Sequence, residues 1–217
     1  MELTEINPHD FIITRKRKKY RFALFANAEN CFELEEWSKR SSDVVELGAG
    51  TALFSVELAA RQPNRTFVAI DVKADRLQKG AREALDRGIT NISFVRARAD
   101  QLLEVVDTTS VEELWLTFSD PFPRDRDAKR RLTAPRFLAL YQQALRPDGT
   151  LLQKTDNHAL FDWSLEQLIA NKWQLRELAY DLHESTFSDD YKIKTTYEHK
   201  WHNEGLKTYF VSAAPTR

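Results

Sequence analysis

Apolar residues along this chain of 217 residues form short runs that alternate with longer stretches of helical spacing. The short runs are typical of strands in a sheet that is covered on both faces. They predict strands at 43–48, 66–71, 92–97, 113–118 and 150–156. The longer stretches carry apolar residues at every third or fourth position, as amphipathic helices do. They predict helices at 51–62, 74–88, 133–146 and 158–172.

Residues with special backbone preferences predict where several of these elements end. Gly88 is expected to stop the second helix, because glycine adopts the left-handed conformation that closes many helices. Thr133 is the expected N-cap of the third helix, with Pro135 in its first turn. The segment 147–149, Pro-Asp-Gly, is predicted to be a turn between that helix and the fifth strand.

Strands that alternate with helices of this length predict an α/β fold, with right-handed crossovers and a mostly parallel sheet covered by helices on both faces. Two further strand candidates, 173–182 and 206–214, have no helix between them. They are expected to form an antiparallel hairpin at one edge of the sheet. No linker or repeat divides residues 41–217, which are predicted to be one domain. Residues 1–40 are predicted to be a basic N-terminal arm or cap.

The apolar runs and the cysteine content indicate the compartment in which the protein is expected. No run of about twenty apolar residues could span a bilayer, and the N-terminus lacks the layout of a signal peptide. The only cysteine, Cys31, excludes an internal disulfide and is more typical of a core residue than of a nucleophile. A cytoplasmic protein without membrane contact is therefore expected.

Charge is unevenly distributed, although the net charge is only −1. The segment 15–21 has six basic residues in seven, and the segment 124–136 has six basic residues against two acidic ones. Either segment by itself could be a solvated surface. Two such segments in a chain that is otherwise acidic favour a nucleic-acid partner.

A glycine turn follows the first predicted strand. Gly48 and Gly50 allow a sharp turn and close approach to a ligand, and Asp71 ends the second strand, where an acidic side chain can bind ribose hydroxyls. Leu53 occupies the position of the third glycine in the dinucleotide motif. Glu46 would repel a pyrophosphate but would suit the ammonium group of S-adenosylmethionine. The pattern favours a methyl-donor site over a dinucleotide site, and tight turns with acids facing solvent remain the alternative.

The stretch FSDPFPRDRDAKRRL, 118–132, follows the fourth predicted strand. Asp120 should lie at the carboxyl end of that strand, beside the first strand. Pro121 and Pro123 restrict φ and lack an N–H group, so a rigid extended turn is expected here, and not the beginning of a helix. Phe122 is expected to contact either the protein or a ligand.

This stretch resembles the signature of the bacterial tRNA (guanine-N7-)-methyltransferase family, in which a phenylalanine, an aspartate, two prolines and basic residues recur in this arrangement. Three other segments are similar to motifs of that family in the same order, namely VELGAG (45–50), KTDN (154–157) and TTYE (195–198). The resemblance extends over most of the chain from about residue 40. It implies the Rossmann-like class I methyltransferase fold.

The resemblance also implies an activity, the transfer of a methyl group from S-adenosylmethionine to N7 of a guanine in the variable loop of tRNA. Asp120 is the implied catalytic residue, contacting either the base or the donor. The implied donor-binding residues are Glu46, Gly48, Gly50, Asp71, Arg98 and Asp120. The implied substrate-binding residues are Arg124, Asp156, Thr195, Tyr197 and Glu198. The expected contacts to the tRNA backbone are Arg126, Lys129, Arg130 and Arg131.

Three positions depart from the pattern of the family. Ala52 stands where a glycine is usual, and Phe122 where a tryptophan is usual. A further acidic donor contact falls on Arg98, for which Asp100 is a possible substitute. Asp156 could instead be the N-cap of the helix at 158.

Two other functions stay open: methylation of a substrate other than tRNA, and RNA binding without catalysis. No metal and no obligate protein partner are expected, and the protein could be a monomer or a homodimer.

Overall fold

The computed structural model describes residues 16–195, 198 and 206–216. The helices are α1 (Lys16–Ala26), α2 (Leu53–Arg61), α3 (Ala74–Asp86), α4 (Leu102–Val105), α5 (Pro135–Ala144) and α6 (His158–Ala170). The strands are β1 (Cys31–Glu33), β2 (Val44–Leu47), β3 (Phe67–Asp71), β4 (Ile92–Arg96), β5 (Val111–Thr117), β6 (Leu145–Thr155), β7 (Trp173–Ala179) and β8 (Tyr209–Pro215). The predicted strands and helices are therefore present, with shifts at their ends.

All eight strands belong to one sheet, in the order β1-β4-β3-β2-β5-β6-β8-β7. The pairs from β1 to β6 are parallel, and β8 is antiparallel to both β6 and β7. The mostly parallel sheet with an antiparallel pair at one edge is thus confirmed. The strand order reverses between β2 and β5, and a crevice opens at the carboxyl ends of the strands at such a switch point.

The hydrophobic core lies on both faces of the sheet. Consecutive strand residues point to opposite faces, so Val44 packs with α2 and α3 while Val45 packs with α5 and α6. Trp115 of β5 is fully buried and contacts Phe54 of α2 with ring centroids 4.8 Å apart. Strands β2 and β3 are apolar at nearly every position because both of their faces are covered.

Two predicted boundaries differ from the structure for identifiable reasons. Residues 147–149 are not a separate turn but lie within β6, where the pairing with β5 is irregular. A Cβ atom at Gly149 would lie 2.8 Å from the carbonyl oxygen of Val111, so this irregular stretch requires glycine. Thr133 does not cap α5, because its buried hydroxyl lies 2.8 Å from Ser164 Oγ and the N-cap is Ala134. Pro135 is the first residue of α5, as predicted.

The segment predicted as an N-terminal arm contributes to the sheet in the described part of the chain. Strand β1 pairs with β4, and α1 packs against α3. Cys31 lies in β1, and its burial raises the pKa of the thiol, which suits a core residue. The boundary at residue 40 stays a prediction. In the part of the chain that the structure describes, no helix is both long and apolar enough to cross a membrane.

Candidate functional site

A crevice lies at the carboxyl ends of β2, β3 and β5. It consists of two adjoining cavities, of about 330 and about 260 Å³, which share Gly48, Arg76 and Phe118. The first cavity is also lined by Glu46 and Thr195. The other residues that line the second include Asp71, Ala97, Asp120, Phe122 and Arg130. The structure thus brings together acidic residues that are separated by up to 74 positions in the sequence, and it does so at the switch point of the sheet.

The glycine turn between β2 and α2 has a left-handed backbone at three positions. Gly48 has φ of 69°, Gly50 has φ of 57° and Ala52 has φ of 54°. Glycine adopts this conformation easily, whereas for alanine it is strained. Ala52, which stands where the family usually has glycine, therefore adopts a backbone conformation that favours glycine.

Helix α3 packs against this turn through Gly80, a residue that the sequence analysis missed. A Cβ atom at Gly80 would lie 2.4 Å from the carbonyl oxygen of Thr51. The turn can occupy its position only because residue 80 has no side chain. A glycine inside an otherwise strong helical pattern is the signal that could have identified it.

Asp71, the last residue of β3, holds both the glycine turn and the start of α3. Its Oδ2 accepts a hydrogen bond from the Gly50 N–H at 2.9 Å, and its Oδ1 accepts one from the Lys73 N–H at 2.8 Å. Each carboxylate oxygen has a second lone pair. Asp71 can therefore organise the turn and accept a hydrogen bond from a ligand hydroxyl in the cavity.

Glu46 lines the first cavity yet is only 1% exposed. Ser55 donates to its Oε2 at 2.5 Å, and Thr117 donates to its Oε1. Burial raises the pKa of Glu46 to about 7, although the two hydroxyls and the Lys154 ammonium oppose the shift. A bound cation would favour the ionised carboxylate, so this group suits a ligand ammonium.

Asp120 lies on the irregular segment 119–123 after β5, and it is exposed at the second cavity. No helix begins within this segment, as predicted from the two prolines. Phe118 and Phe122 have φ of 50° and 41°, a conformation that bulky residues rarely adopt. Strained backbone of this kind clusters at functional sites.

Arg131 has a different position from the other basic residues of the segment 124–136. Its side chain is buried, with 8% exposed, and it donates to the carbonyl oxygens of Pro121 at 3.0 Å and Phe122 at 3.1 Å. Its guanidinium carbon also lies 4.6 Å from the centre of the Trp163 ring. Arg131 therefore holds the turn that carries Asp120, and its predicted contact to the tRNA backbone stays a prediction.

Four other basic residues of the segment 124–136 form an exposed strip that follows Asp120 in the chain, consisting of Arg124, Arg126, Lys129 and Arg130, and Arg136 is exposed in the first turn of α5. The guanidinium carbon of Arg130 lies 4.3 Å from the centre of the Phe122 ring. Asp127 lies between Arg124 and Arg130, at 3.9 and 3.8 Å. Exposed ion pairs at such distances are weak and leave these cations able to meet a polyanion.

The predicted substrate-binding residues in the second half of the chain have different positions relative to the crevice. Thr195 lines the first cavity. Glu198, predicted to contact substrate, is buried and accepts a hydrogen bond from Lys154 Nζ at 3.2 Å, and its substrate role stays a prediction. Asp156 is not the N-cap of α6, because Asn157 Oδ1 accepts from the Leu160 N–H at 2.8 Å. The proposed substrate role of Asp156 stays a prediction, and Tyr197 lies outside the described residues.

Arg98 does not line either cavity of the crevice, whereas its neighbours Ala97 and Ala99 line the second. Its exposed guanidinium donates to Asp100 at 2.9 Å and 3.3 Å. Arg98, which occupies the position of the usual acidic residue, is thus paired with Asp100, its possible substitute. The structure does not support a donor contact by the Arg98 side chain.

A wider cavity of about 720 Å³ lies between α2, α3 and residues 189–194. Its acidic and basic side chains pair with each other, as Glu57 does with Arg61 and Arg87 at 3.0 and 3.1 Å. It contains none of the conformational features found at the crevice. We therefore assign the functional site to the crevice.

An open parallel sheet, a glycine turn and acidic residues at the switch point define a Rossmann-like class I methyltransferase. Solved structures share this fold: the 16S rRNA methyltransferase KamB gives a TM-score of 0.61 at 16% identity over 84% of this chain and 90% of that chain. A SAM-dependent methyltransferase from Aquifex aeolicus gives a TM-score of 0.58 at 13% identity over 98% of this chain and 100% of that chain.

Sequence comparison identifies the family. Residues 40–211 match the family described as "Putative methyltransferase". The tRNA (guanine-N(7)-)-methyltransferase of Brevibacillus brevis is 38% identical over 170 residues, covering 78% of this chain and 79% of the relative. The protein of that name from Cytophaga hutchinsonii is 32% identical over 212 residues, covering 90% and 96%. The chain belongs to the tRNA (guanine-N7-)-methyltransferase family.

Proposed function

We propose that this protein transfers the methyl group of S-adenosylmethionine to N7 of a guanine in the variable loop of tRNA. One observation carries the proposal. The exposed carboxylate of Asp120 lines a crevice suited to a nucleoside, and a strip of exposed cations follows it in the chain. The names of the relatives supply the particular reaction. The proposed substrate places the reaction in the cytoplasm.

The crevice fits the donor in size and chemistry. Ligand sites usually have volumes of about 300–1,000 Å³, and the two adjoining cavities together lie within that range. Asp71 would accept hydrogen bonds from the ribose hydroxyls. Glu46 would face the ammonium group, and Gly48 and Gly50 would allow the backbone to approach the ligand closely.

When bound, S-adenosylmethionine supplies an electrophilic methyl group on a sulfonium. Direct displacement forms the N7–methyl bond while the sulfur–methyl bond breaks, and the thioether S-adenosylhomocysteine leaves. N7 has a free lone pair at neutral pH, so no base is needed to remove a proton before attack. The protein has to align the two reactants, which can supply much of the rate acceleration.

Asp120 would act on the charge that moves to the guanine. The ring becomes positive as the methyl group arrives, and a carboxylate beside it stabilises that charge as it develops. Arg131 holds the carbonyl groups of the two residues that follow Asp120, which limits the movement of the carboxylate. The exposed strip 124–130 would bind tRNA phosphates on the same side.

The direct test uses purified protein, labelled methyl donor and unmodified tRNA, with the label located by strand scission specific for N7-methylguanine. A matched tRNA with adenine in place of the variable-loop guanine is the control. We expect label in the first RNA alone. Label at another atom, or none where the Brevibacillus brevis relative works, would refute the proposal. Binding of tRNA without incorporation would indicate an RNA-binding protein that lacks catalysis.

A further inference from the structure

A lysine is completely buried beside the crevice. Lys154 of β6 is 0% exposed, and its Nζ donates to the carbonyl oxygens of Tyr191 at 3.2 Å and Ile193 at 2.7 Å. It also donates to Glu198 Oε2 at 3.2 Å. A buried ammonium is costly unless it is paired and hydrogen-bonded. These three contacts satisfy its three donors, and all three lie on the segment after β7.

Glu198 connects Lys154 to Thr195 through hydrogen bonds. The Thr195 N–H donates to Glu198 Oε2 at 2.7 Å, and the Glu198 N–H donates to Thr195 Oγ1 at 3.0 Å. The other carboxylate oxygen lies 3.1 Å from His183 Nε2 and accepts from Thr208 Oγ1 at 3.3 Å. Burial works to raise the pKa of Glu198, but the His183 contact and Lys154 outweigh it and lower the pKa.

The same ammonium lies next to two aromatic residues that line the first cavity of the crevice. Lys154 Nζ lies 4.6 Å from the centre of the Phe54 ring and 6.0 Å from that of Phe118, and both rings line the cavity. Its charge also lowers the pKa of Glu46, against the larger effect of burial. Burial lowers the pKa of Lys154 itself, and Glu198 and Glu46 oppose that shift. The Lys154 ammonium therefore interacts with three parts of the cavity wall: Thr195 through Glu198, the two phenylalanine rings, and Glu46.

We propose that Lys154 is a positioning residue for the methyl donor. It ties residues 191–195 and Glu198 to β6, and it thereby holds Thr195 in the wall of the cavity that Glu46 also lines. The identity of the ligand rests on the proposed function, whereas the positioning role rests on the contacts of Lys154. Lys154 does not touch the reacting atoms.

The test compares Lys154→Met with Lys172→Met. Methionine keeps the length of the side chain and removes the charge, and Lys172 is an exposed lysine at the turn before β7. We expect Lys154→Met to weaken binding of S-adenosylmethionine and of S-adenosylhomocysteine by about tenfold or more, measured by calorimetry. Affinity for tRNA should not change, because the exposed strip is intact. Lys172→Met should behave as the wild-type protein in both measurements.

Proteolysis supplies a readout that does not require activity. Trypsin cleaves after Lys192 and Lys194, which lie on the segment that Lys154 holds. We expect faster cleavage there in Lys154→Met, and we expect the methyl donor to protect these sites in the wild-type protein but not in the variant. Mass spectrometry of the fragments identifies the sites.

Glu198→Gln makes the proposal testable even if Lys154→Met does not fold. It removes one charge while keeping the size and part of the hydrogen bonding, and we expect the same loss of donor affinity in a smaller amount. The double variant should bind the donor no more weakly than Lys154→Met, because both changes break one interaction. Donor affinity and cleavage equal to wild type in both single variants would overturn the proposal. Wild-type protein that binds the donor without methylating tRNA would overturn the proposed function alone.

Discussion

Two carboxylates on neighbouring parallel strands have opposite environments. Glu46 of β2 is buried and accepts hydrogen bonds from Ser55 and Thr117, whereas Asp120 follows β5 and is exposed. On the proposed donor side of the crevice, the carboxylate is thus held by hydrogen bonds within the protein. The substrate side presents an open carboxylate, and the bound RNA would have to complete its surroundings.

The basic residues show the same division. Lys154 and Arg131 are buried and hold backbone carbonyl groups in place, whereas Arg124, Arg126 and Lys129 are exposed beside the crevice. A buried cation stabilises the fold, because its donors have to be hydrogen-bonded within the protein. Exposure leaves it free for salt-dependent binding of phosphates. Each prediction below tests one member of this division.

The largest effect is expected for Asp120→Asn. The change removes the charge but keeps the shape, so we expect kcat to fall by about 10²–10³ while tRNA affinity is retained. Single-turnover methylation and a filter-binding assay measure the two quantities. Asp125→Asn, which alters an exposed carboxylate in the same segment, is the control and should keep its activity. Wild-type kcat in Asp120→Asn would remove the catalytic assignment.

Glu46→Gln tests the buried carboxylate through the pH dependence of stability. The folded pKa of about 7 lies above the ordinary value of 4.5, so the stability contributed by Glu46 is present below pH 4.5 and is lost as the pH rises through 7. Between pH 4.5 and 8 we expect the free energy of unfolding of Glu46→Gln to gain about 3 kcal/mol relative to the wild-type protein. Urea unfolding of the ligand-free proteins measures this difference.

Donor binding should show the opposite dependence on pH in the wild-type protein. An ammonium beside Glu46 favours the ionised carboxylate, so the donor should bind more tightly as the pH rises toward 7, by at most about tenfold per unit. Calorimetry on Glu46→Gln should show no such dependence from this group. A wild-type affinity that is flat between pH 5 and 7 would mean that the ligand charge does not meet Glu46.

Arg131→Met is expected to have an intermediate effect, on the fold and on catalysis together. The change leaves the carbonyl oxygens of Pro121 and Phe122 without their donor, which should cost about 2–3 kcal/mol in the free energy of unfolding. The kcat should also fall, because Asp120 lies on the same turn. Thermal unfolding and single-turnover kinetics measure these effects. Arg130→Met is the control for stability, since the Arg130 side chain is exposed.

The smallest effect is expected for the double variant Arg126→Ala, Lys129→Ala. Both side chains are exposed, so the melting temperature should not change. The slope of log affinity for tRNA against log salt should flatten by about one unit for each phosphate contact that is lost. An unchanged slope would place these residues away from the RNA.

Much of the fold could be predicted from local patterns. Strands β2 and β3 are nearly continuous apolar runs because helices cover both faces of the sheet. Strand β1 has three residues and α4 has four, so neither is long enough to establish a period. Residues 147–149 have a composition typical of turns, but they lie within β6 at an irregularity in its pairing with β5, which only the contact between the two strands determines.

The chain's own sequence determined which chemical groups gather at the crevice. Glu46 is the penultimate residue of β2, Asp71 ends β3 and Asp120 follows β5, and the carboxyl ends of such parallel strands lie along one edge of the sheet. That rule, together with the family motifs, was sufficient to predict the edge of the sheet at which the crevice lies.

Only the tertiary structure decided which charges are buried. Arg131 and Arg130 are adjacent and alike in sequence, yet one is bonded to backbone carbonyl groups and the other is exposed. Lys154 meets Glu198 across 44 positions of the chain. The burial of a charge depends on partners brought together from distant segments, and a local pattern of residues contains no information about those partners.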